Sequence, residues 1–332
     1  MNAVAGVSPE WRHGRVRVRS VTRIGADYGL SGGHVYRVRA DSERGGSLSF
    51  VLKREGAQAA ERALRFHRAV GSQVVGSVPG CLGGVIDQGS NSGVLFLEDV
   101  APAKQGDVLA GCSDPQALAA VRSLGHVHAA AWAAAEILPR WEARATAPDE
   151  WAARLSAAAE RFPEIITPSL ADRLQGLPGK VEQAITSLHD DRACWIHGDA
   201  HLDNVLFRID GTAVLLDWSG AVIGPPAVDV ARLLTEGVNA GAREERASDL
   251  VSAYADELAR AGVKVMLDDL WGALSNGLAL LIQSAVGWAA REENREPRTR
   301  LQALQENLLR SACSWTVNEQ MAKPGRLFAP ES

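Results

Sequence analysis

Cysteine is scarce in this 332-residue chain, and the four present, Cys81, Cys112, Cys194 and Cys313, do not cluster. They form no C-x-x-C pair, which excludes a zinc ribbon and offers no disulfide framework, so a reducing compartment is expected. A basic excess is also missing. With 35 Lys and Arg against 40 Asp and Glu the formal net charge is -5, which argues against a surface built to neutralise nucleic-acid phosphates. The early arginines Arg15, Arg17, Arg19 and Arg23 alternate with Val16, Val18 and Val21 and read as the wet face of an edge strand. The most apolar stretch, Gly277 to Ala290, is short for a membrane span and contains Gln283, and no apolar run follows a basic start. Neither a nucleic-acid nor a membrane partner is expected, and the expected location is the cytoplasm.

What is present is the composition of a soluble globular protein, 46% hydrophobic and 23% charged. From Arg15 to Val100 short β runs with glycine-rich breaks (VRVRSVTRI, HVYRVRA, SLSFVLK, GGVID, GVLFLEDV) predict an antiparallel sheet. One predicted helix interrupts it, Ala57 to Val70, with Ala60, Ala63, Leu64, His67 and Val70 at helical spacing. Beyond Val100 the chain turns helical, with predicted helices Asp114 to Ala135, Glu150 to Arg161, Ser169 to Leu188, Asp229 to Leu234, Asp249 to Ala261, Leu267 to Ala290 and Arg298 to Trp315. A β island breaks that run, where CWIHGDAHLDNVLF and TAVLLDWSG flank the hairpin turn Asp210-Gly211. The expected fold class is α+β in two lobes, residues 1–100 and 101–332.

The segment His197 to Asn204, HGDAHLDN, fits H-x-D-x-x-x-x-N, the catalytic loop of phosphoryl transfer. In that pattern Asp199 accepts or orients the acceptor's hydroxyl proton while Asn204 reaches a magnesium ion. Asp217 closes the apolar run from Ala213 and is the expected second metal ligand; a magnesium ion needs few protein oxygens. Lys53 ends the strand that begins at Leu48 and points to ATP phosphates, with Glu61 on the predicted helix as its expected partner and Glu55 as the alternative. Gly25, Gly29, Gly32 and Gly33 would let backbone amides approach phosphates. His197 reads as structural support of the loop. His201 either contacts substrate or fills space, and His126 and His128 read as packed helix residues. A two-cation hydrolase built on His197, Asp199, His201 and Asp217 would leave Lys53 and Asn204 without a role.

These residues, in this order, resemble the aminoglycoside phosphotransferase and choline kinase superfamily, and ERALRFHRAV, VLFLEDV, IHGDAHLDNVLF and LLDWSGAVIGPPAVDVARLL look most like its bacterial branch related to ecdysteroid-kinase-like proteins. The resemblance implies a protein-kinase-like fold, with ATP and Mg2+ as cofactors. It also implies Asp199 as catalytic base, Asn204 and Asp217 on the metal, Lys53 on the phosphates, and Glu98 to Val100 as the adenine-contacting hinge. Asp229, in GPPAVDVA, corresponds to the buried carboxylate that supports the catalytic loop from behind, and Trp218 stands where protein kinases have the Phe of their DFG triplet. The implied activity is phosphorylation of a small-molecule hydroxyl. The first expectation is antibiotic inactivation, of an aminoglycoside, macrolide or other glycosylated compound. The alternative is a metabolic kinase of a sugar, amino alcohol or other small alcohol, and less favoured is a non-catalytic nucleotide-binding regulatory module. A monomer or homodimer is expected.

Overall fold

A computed structural model describes residues 16–24, 34–43, 45–132, 139–190, 193–238, 240–291 and 300–317. The expected sheet is there: β1 (Val16–Ile24), β2 (His34–Ser42), β3 (Ser47–Glu55), β4 (Cys81–Asp87) and β5 (Ser92–Glu98) pair antiparallel in the order β1-β2-β3-β5-β4. β1 is an edge strand, as its alternation implied. Its register with β2 shifts between Val18 and Ser20, and Val18 and Val21 remain more than half exposed.

The helix between β3 and β4, α1 (Ala57–Ala69), buries Ala57, Ala60, Ala63, Leu64, Phe66 and His67 on one side. Gly93 of β5 makes this close approach possible, because a Cβ there would sit 2.2 Å from that of Ala60. α1 does not belong to the sheet alone. Phe66 stacks on Trp218 with ring centroids 3.6 Å apart and meets Trp195 edge-on at 5.7 Å, so one hydrophobic core runs from the sheet into the helical part of the chain.

That part begins with the short β6 (Ala103–Gln105) and α2 (Asp114–Ala131), followed by α3 (Pro148–Arg161), α4 (Pro168–Leu174) and α5 (Leu177–Asp190). One continuous helix was expected over Ser169 to Leu188; two form, separated at Gln175 and Gly176. Glycine inside a helix costs about 1 kcal/mol relative to alanine, which favours a break there. The β island forms β7 (Cys194–Ile196), β8 (Val205–Arg208), β9 (Ala213–Leu215) and β10 (Val222–Gly224). β8 and β9 make the expected hairpin about Asp210-Gly211, β6 pairs with β8, and β10 pairs with β7.

The remaining helices are α6 (Ala227–Gly237), α7 (Ala240–Arg260), α8 (Leu267–Ala289) and α9 (Arg300–Val317). α8 is longer than the apolar stretch singled out in the sequence and has the length and composition of a membrane span. Half of its most apolar window is nevertheless buried inside the protein, where it packs against α3, α5, α6 and α9. It is a core helix of this lobe. A second core, around Trp151, Leu174, Leu177, Ile282 and Leu309, lies among these helices.

Candidate active site

Strand β7 is wholly buried and leads into His197, which starts the loop. Gly198 follows at φ +78°, and a side chain there would meet the Gly220 carbonyl at 2.6 Å, so only glycine lets the backbone turn at this point. The His197 ring ties the loop to the segment before Asp217: Nε2 donates to the Leu216 carbonyl (2.6 Å), and Nδ1 accepts from the Asp199 N–H (3.3 Å).

From behind, the Asp229 carboxylate accepts the backbone N–H groups of His197 (2.5 Å) and Gly198 (2.9 Å). Its own orientation depends on His128, whose Nε2 donates to it (3.2 Å) while Nδ1 accepts from the Tyr254 hydroxyl (2.8 Å). The Asp229, His128, Tyr254 and His197 side chains all lie out of water. His128 is packed, as expected, yet its hydrogen bonds give it a place in the support of the loop that the sequence did not reveal.

Asp199 is half exposed and faces two basic side chains. His201 Nε2 lies 3.2 Å from its carboxylate and Arg232 Nη2 3.4 Å. Burial by itself would raise the Asp199 carboxyl, but the hydrogen bond and charge of His201, then Arg232 and His197, hold it well below the ordinary carboxylate range. His201 is shifted upward in turn: burial opposes its charge, while Asp199 and then Glu236 outweigh it. The His201 contact with the Asp199 carboxylate is neither of the two roles considered for it from the sequence. Arg232 is anchored by Glu236, one turn further along α6, and burial raises the Glu236 carboxyl. Neither Arg232 nor Glu236 stood out in the sequence, because only the packing of α6 against the loop brings them to Asp199.

Asn204 ends the 3-10 turn Leu202–Asn204. Its side-chain Nδ2 donates to the Asp199 carbonyl (3.0 Å), and its backbone carbonyl accepts from Leu216 N–H (2.8 Å), one residue before Asp217. Asp217 adopts a left-handed backbone (φ 57°), which turns its side chain out of β9 towards β3. The donors offered, an amide oxygen and a carboxylate, are the hard oxygens that suit Mg2+ or Ca2+, and no His, Cys, Asp and Glu cluster of the kind a softer metal takes occurs among the described residues.

Lys53 is the cation across the cleft. Its three donors reach the Asp217 carboxylate (2.5 Å), the Glu55 carboxylate (2.7 Å) and the Ser219 hydroxyl (2.9 Å). Burial works against the Asp217 charge, but Lys53 and then Ser219 bring its carboxyl below the usual value. The expected partner Glu61 is corrected to Glu55: Glu61 lies off the buried stripe of α1 and holds Arg65 (2.6 Å) and Gln88 (3.2 Å). Glu55 shares the face of β3 with Lys53, and its Oε1 has no hydrogen-bond partner among the described residues.

The expected hinge runs between β5 and β6. Glu98 Oε2 accepts from Gly80 N–H (3.0 Å), Val100 is buried, and Asp99 between them receives a two-pronged hydrogen bond from Arg37 (2.8 and 3.0 Å). Gly25, Gly29, Gly32 and Gly33, the expected phosphate-approaching glycines, lie outside the described residues.

A sequence profile of the phosphotransferase enzyme family matches residues 29–264. No curated protein matches significantly. Among solved structures, amicoumacin kinase hAmiN in complex with AMP-PNP, Ca2+ and Ami is similar at 15% identity, over 89% of this chain and 88% of that one, with a TM-score of 0.57. Spectinomycin phosphotransferase APH(9)-Ia in complex with ADP and spectinomycin is similar at 14% identity, over 89% of this chain and 92% of that one, also at 0.57. An aminoglycoside phosphotransferase from Alicyclobacillus acidocaldarius is similar at 15% identity, over 90% of each chain, at 0.55. Identities this low speak for a common bilobal fold.

Proposed function

The chain belongs to the phosphotransferase enzyme family, and from that premise we propose that it moves the γ-phosphoryl group of magnesium-bound ATP directly to a hydroxyl of a small molecule. The observation that carries this reading is the contact of Lys53 with Asp217 across the cleft, 164 positions apart in sequence, on the segment that the His197 ring ties to the loop presenting Asp199.

In this reading residues 1–100 hold the nucleotide, with Glu98 to Val100 against the base and Lys53 on the phosphates, steadied by Glu55. Asn204 and Asp217 hold the metal, which when bound neutralises phosphate charge and orients the transferred group. Asp199 takes or orients the acceptor's hydroxyl proton, kept ionised by His201 and Arg232. His197 and Asp229 keep that carboxylate in place. Residues 101–332 supply the acceptor site, and the chain works in the cytoplasm as a monomer or homodimer.

A small acceptor is favoured over a protein, because β9 leads through Trp218–Gly220 and β10 straight into α6, with no room for a peptide-binding segment. The first acceptor reading is a hydroxyl-bearing antibiotic such as an aminoglycoside, macrolide or other glycosylated compound, in line with the antibiotics bound by the similar structures. The second, a kinase of a sugar, amino alcohol or other small alcohol, is favoured by one observation. The carboxylates around the loop are already paired, Asp199 and Glu236 with Arg232, and Asp107 and Asp203 with Arg300, which leaves little to attract a polycation.

A coupled ADP-release assay with MgATP against a panel of antibiotics and small alcohols, with Asp199→Ala as the blank, tests both readings. Turnover on an antibiotic that vanishes in the variant supports the first; turnover restricted to a metabolite supports the second. ATP binding without turnover on any compound would count against catalysis.

A further inference from the structure

We propose that Arg300, which lies beyond the residues matched by the family profile, is a positioning residue for the proposed metal ligand Asn204 and acts through its neighbour Asp203. The inference rests on the reading of Asn204 given above.

Asp203 is the hub of the 3-10 turn that carries Asn204. Its Oδ1 accepts Val108 N–H (2.8 Å), its Oδ2 accepts Arg300 Nη2 (3.0 Å), and its carbonyl accepts Gln105 Nε2 (2.6 Å). The same Arg300 nitrogen reaches Asp107 Oδ1 at 3.0 Å. Two carboxylates are thus drawn towards one guanidinium, and without it their like charges would push the segment around Asp107 away from the turn. There is little slack between them. A Cβ on Gly106 would sit 2.4 Å from the Leu202 carbonyl, and Gly106 N–H donates to Val205 (2.8 Å), so this segment lies flat on the turn.

Arg300 is held in turn by the rest of α9. Asn307 Nδ2 donates to the Val108 carbonyl (3.3 Å), and Trp315 Nε1 donates to Thr235 (2.9 Å) on α6, the helix that supplies Asp229. α9 therefore fastens both the front and the back of the catalytic loop. The Arg300 and Asp203 side chains are each about a quarter exposed, and an ion pair open to solvent on one side adds little to global stability. The effect of removing Arg300 should therefore appear in the position of Asn204 more than in the melting temperature.

The test is the binding of Mn2+ with AMP-PNP to the full chain, read by the electron paramagnetic resonance of free Mn2+. Wild type is compared with Asn204→Ala, Arg300→Ala, Arg300→Lys, Arg300→Ala combined with Asp107→Asn, and Arg310→Ala as a control on the exposed side of α9. Losing an outer partner of a metal ligand typically weakens binding about tenfold or more, and that is the loss expected for Arg300→Ala. Arg300→Lys and the added Asp107→Asn should each recover part of it, and Arg310→Ala should bind as wild type does. Faster hydrogen exchange over residues 197–205 in metal-free Arg300→Ala is the matching apo readout. If Asn204→Ala weakens binding and Arg300→Ala does not, the positioning role is refuted. If Asn204→Ala itself binds normally, the metal-ligand reading falls and this proposal falls with it.

Discussion

Lys53 and Glu55 project from the same face of β3 and meet at 2.7 Å, because alternate residues of a strand share a face. Each is more than nine-tenths buried, so neither charge is at ease without the other. Lys53, the proposed phosphate contact, is thus steadied from its own strand, while the helix glutamate Glu61 faces Arg65.

Glu55→Gln keeps the shape and removes the charge. A hydrogen bond to a charged group is worth about 1.5–3 kcal/mol, so kcat/KM for MgATP is expected to fall about 10- to 100-fold. Glu61→Gln, an exposed i,i+4 pair, should change it about twofold or less. Steady-state kinetics on both variants decides the matter, and a larger loss in Glu61→Gln would restore the helix glutamate as the partner.

Phe66 and Trp218 stack at 3.6 Å and join α1 to the segment after Asp217. Phe66→Ala should cost about 3–5 kcal/mol, measured by urea unfolding, as for other buried aromatics. Because Trp218 directly follows Asp217, Phe66→Leu is expected to lower kcat/KM for MgATP even where the fold survives. Full activity in a destabilised Phe66→Leu protein would separate packing from the site.

Asp229→Asn removes one charge from a carboxylate that accepts two backbone N–H groups and His128 Nε2. A stability loss of about 1.5–3 kcal/mol and a fall in kcat are expected, with nucleotide affinity nearly kept. Isothermal titration with AMP-PNP alongside turnover would reveal whether the loss lies in binding instead.

The His67 imidazole is buried beside Lys53, and burial first, then that positive charge, lowers its pKa from 6.5 to about 4. The unfolded chain takes up the proton as the pH drops below 6.5, while the folded protein resists until about 4. Stability should therefore be full above that window and decline on acidification through it, at most by about 1.4 kcal/mol per pH unit. His67→Asn should flatten the decline, as followed by denaturant midpoints across this pH range. An unchanged slope would mean that other groups carry it.

Gly198→Ala should remove activity and lower the melting temperature, since the Cβ meets the Gly220 carbonyl at 2.6 Å in a backbone conformation costly to any L side chain. The neighbouring Ala200→Gly has no such clash and serves as the comparison.

The turn that presents the loop was legible in the sequence because it is local. Asp199 and Asn204 are five positions apart, and a short turn after a buried strand presents both. The antiparallel sheet, α1, the hairpin about Asp210-Gly211 and the helical second half were also written in periodicity and turn residues, since backbone preferences act over a few positions. What the tertiary structure decided is which face meets which. The rotation of α1 turned Glu61 outward and left Glu55 to Lys53, and the docking of α2 and α7 brought His128 and Tyr254 behind Asp229. α9 carried Arg300 back to Asp203, 97 positions earlier. Such contacts arise from the packing of whole helices around shared cores, and no short stretch of the chain records them.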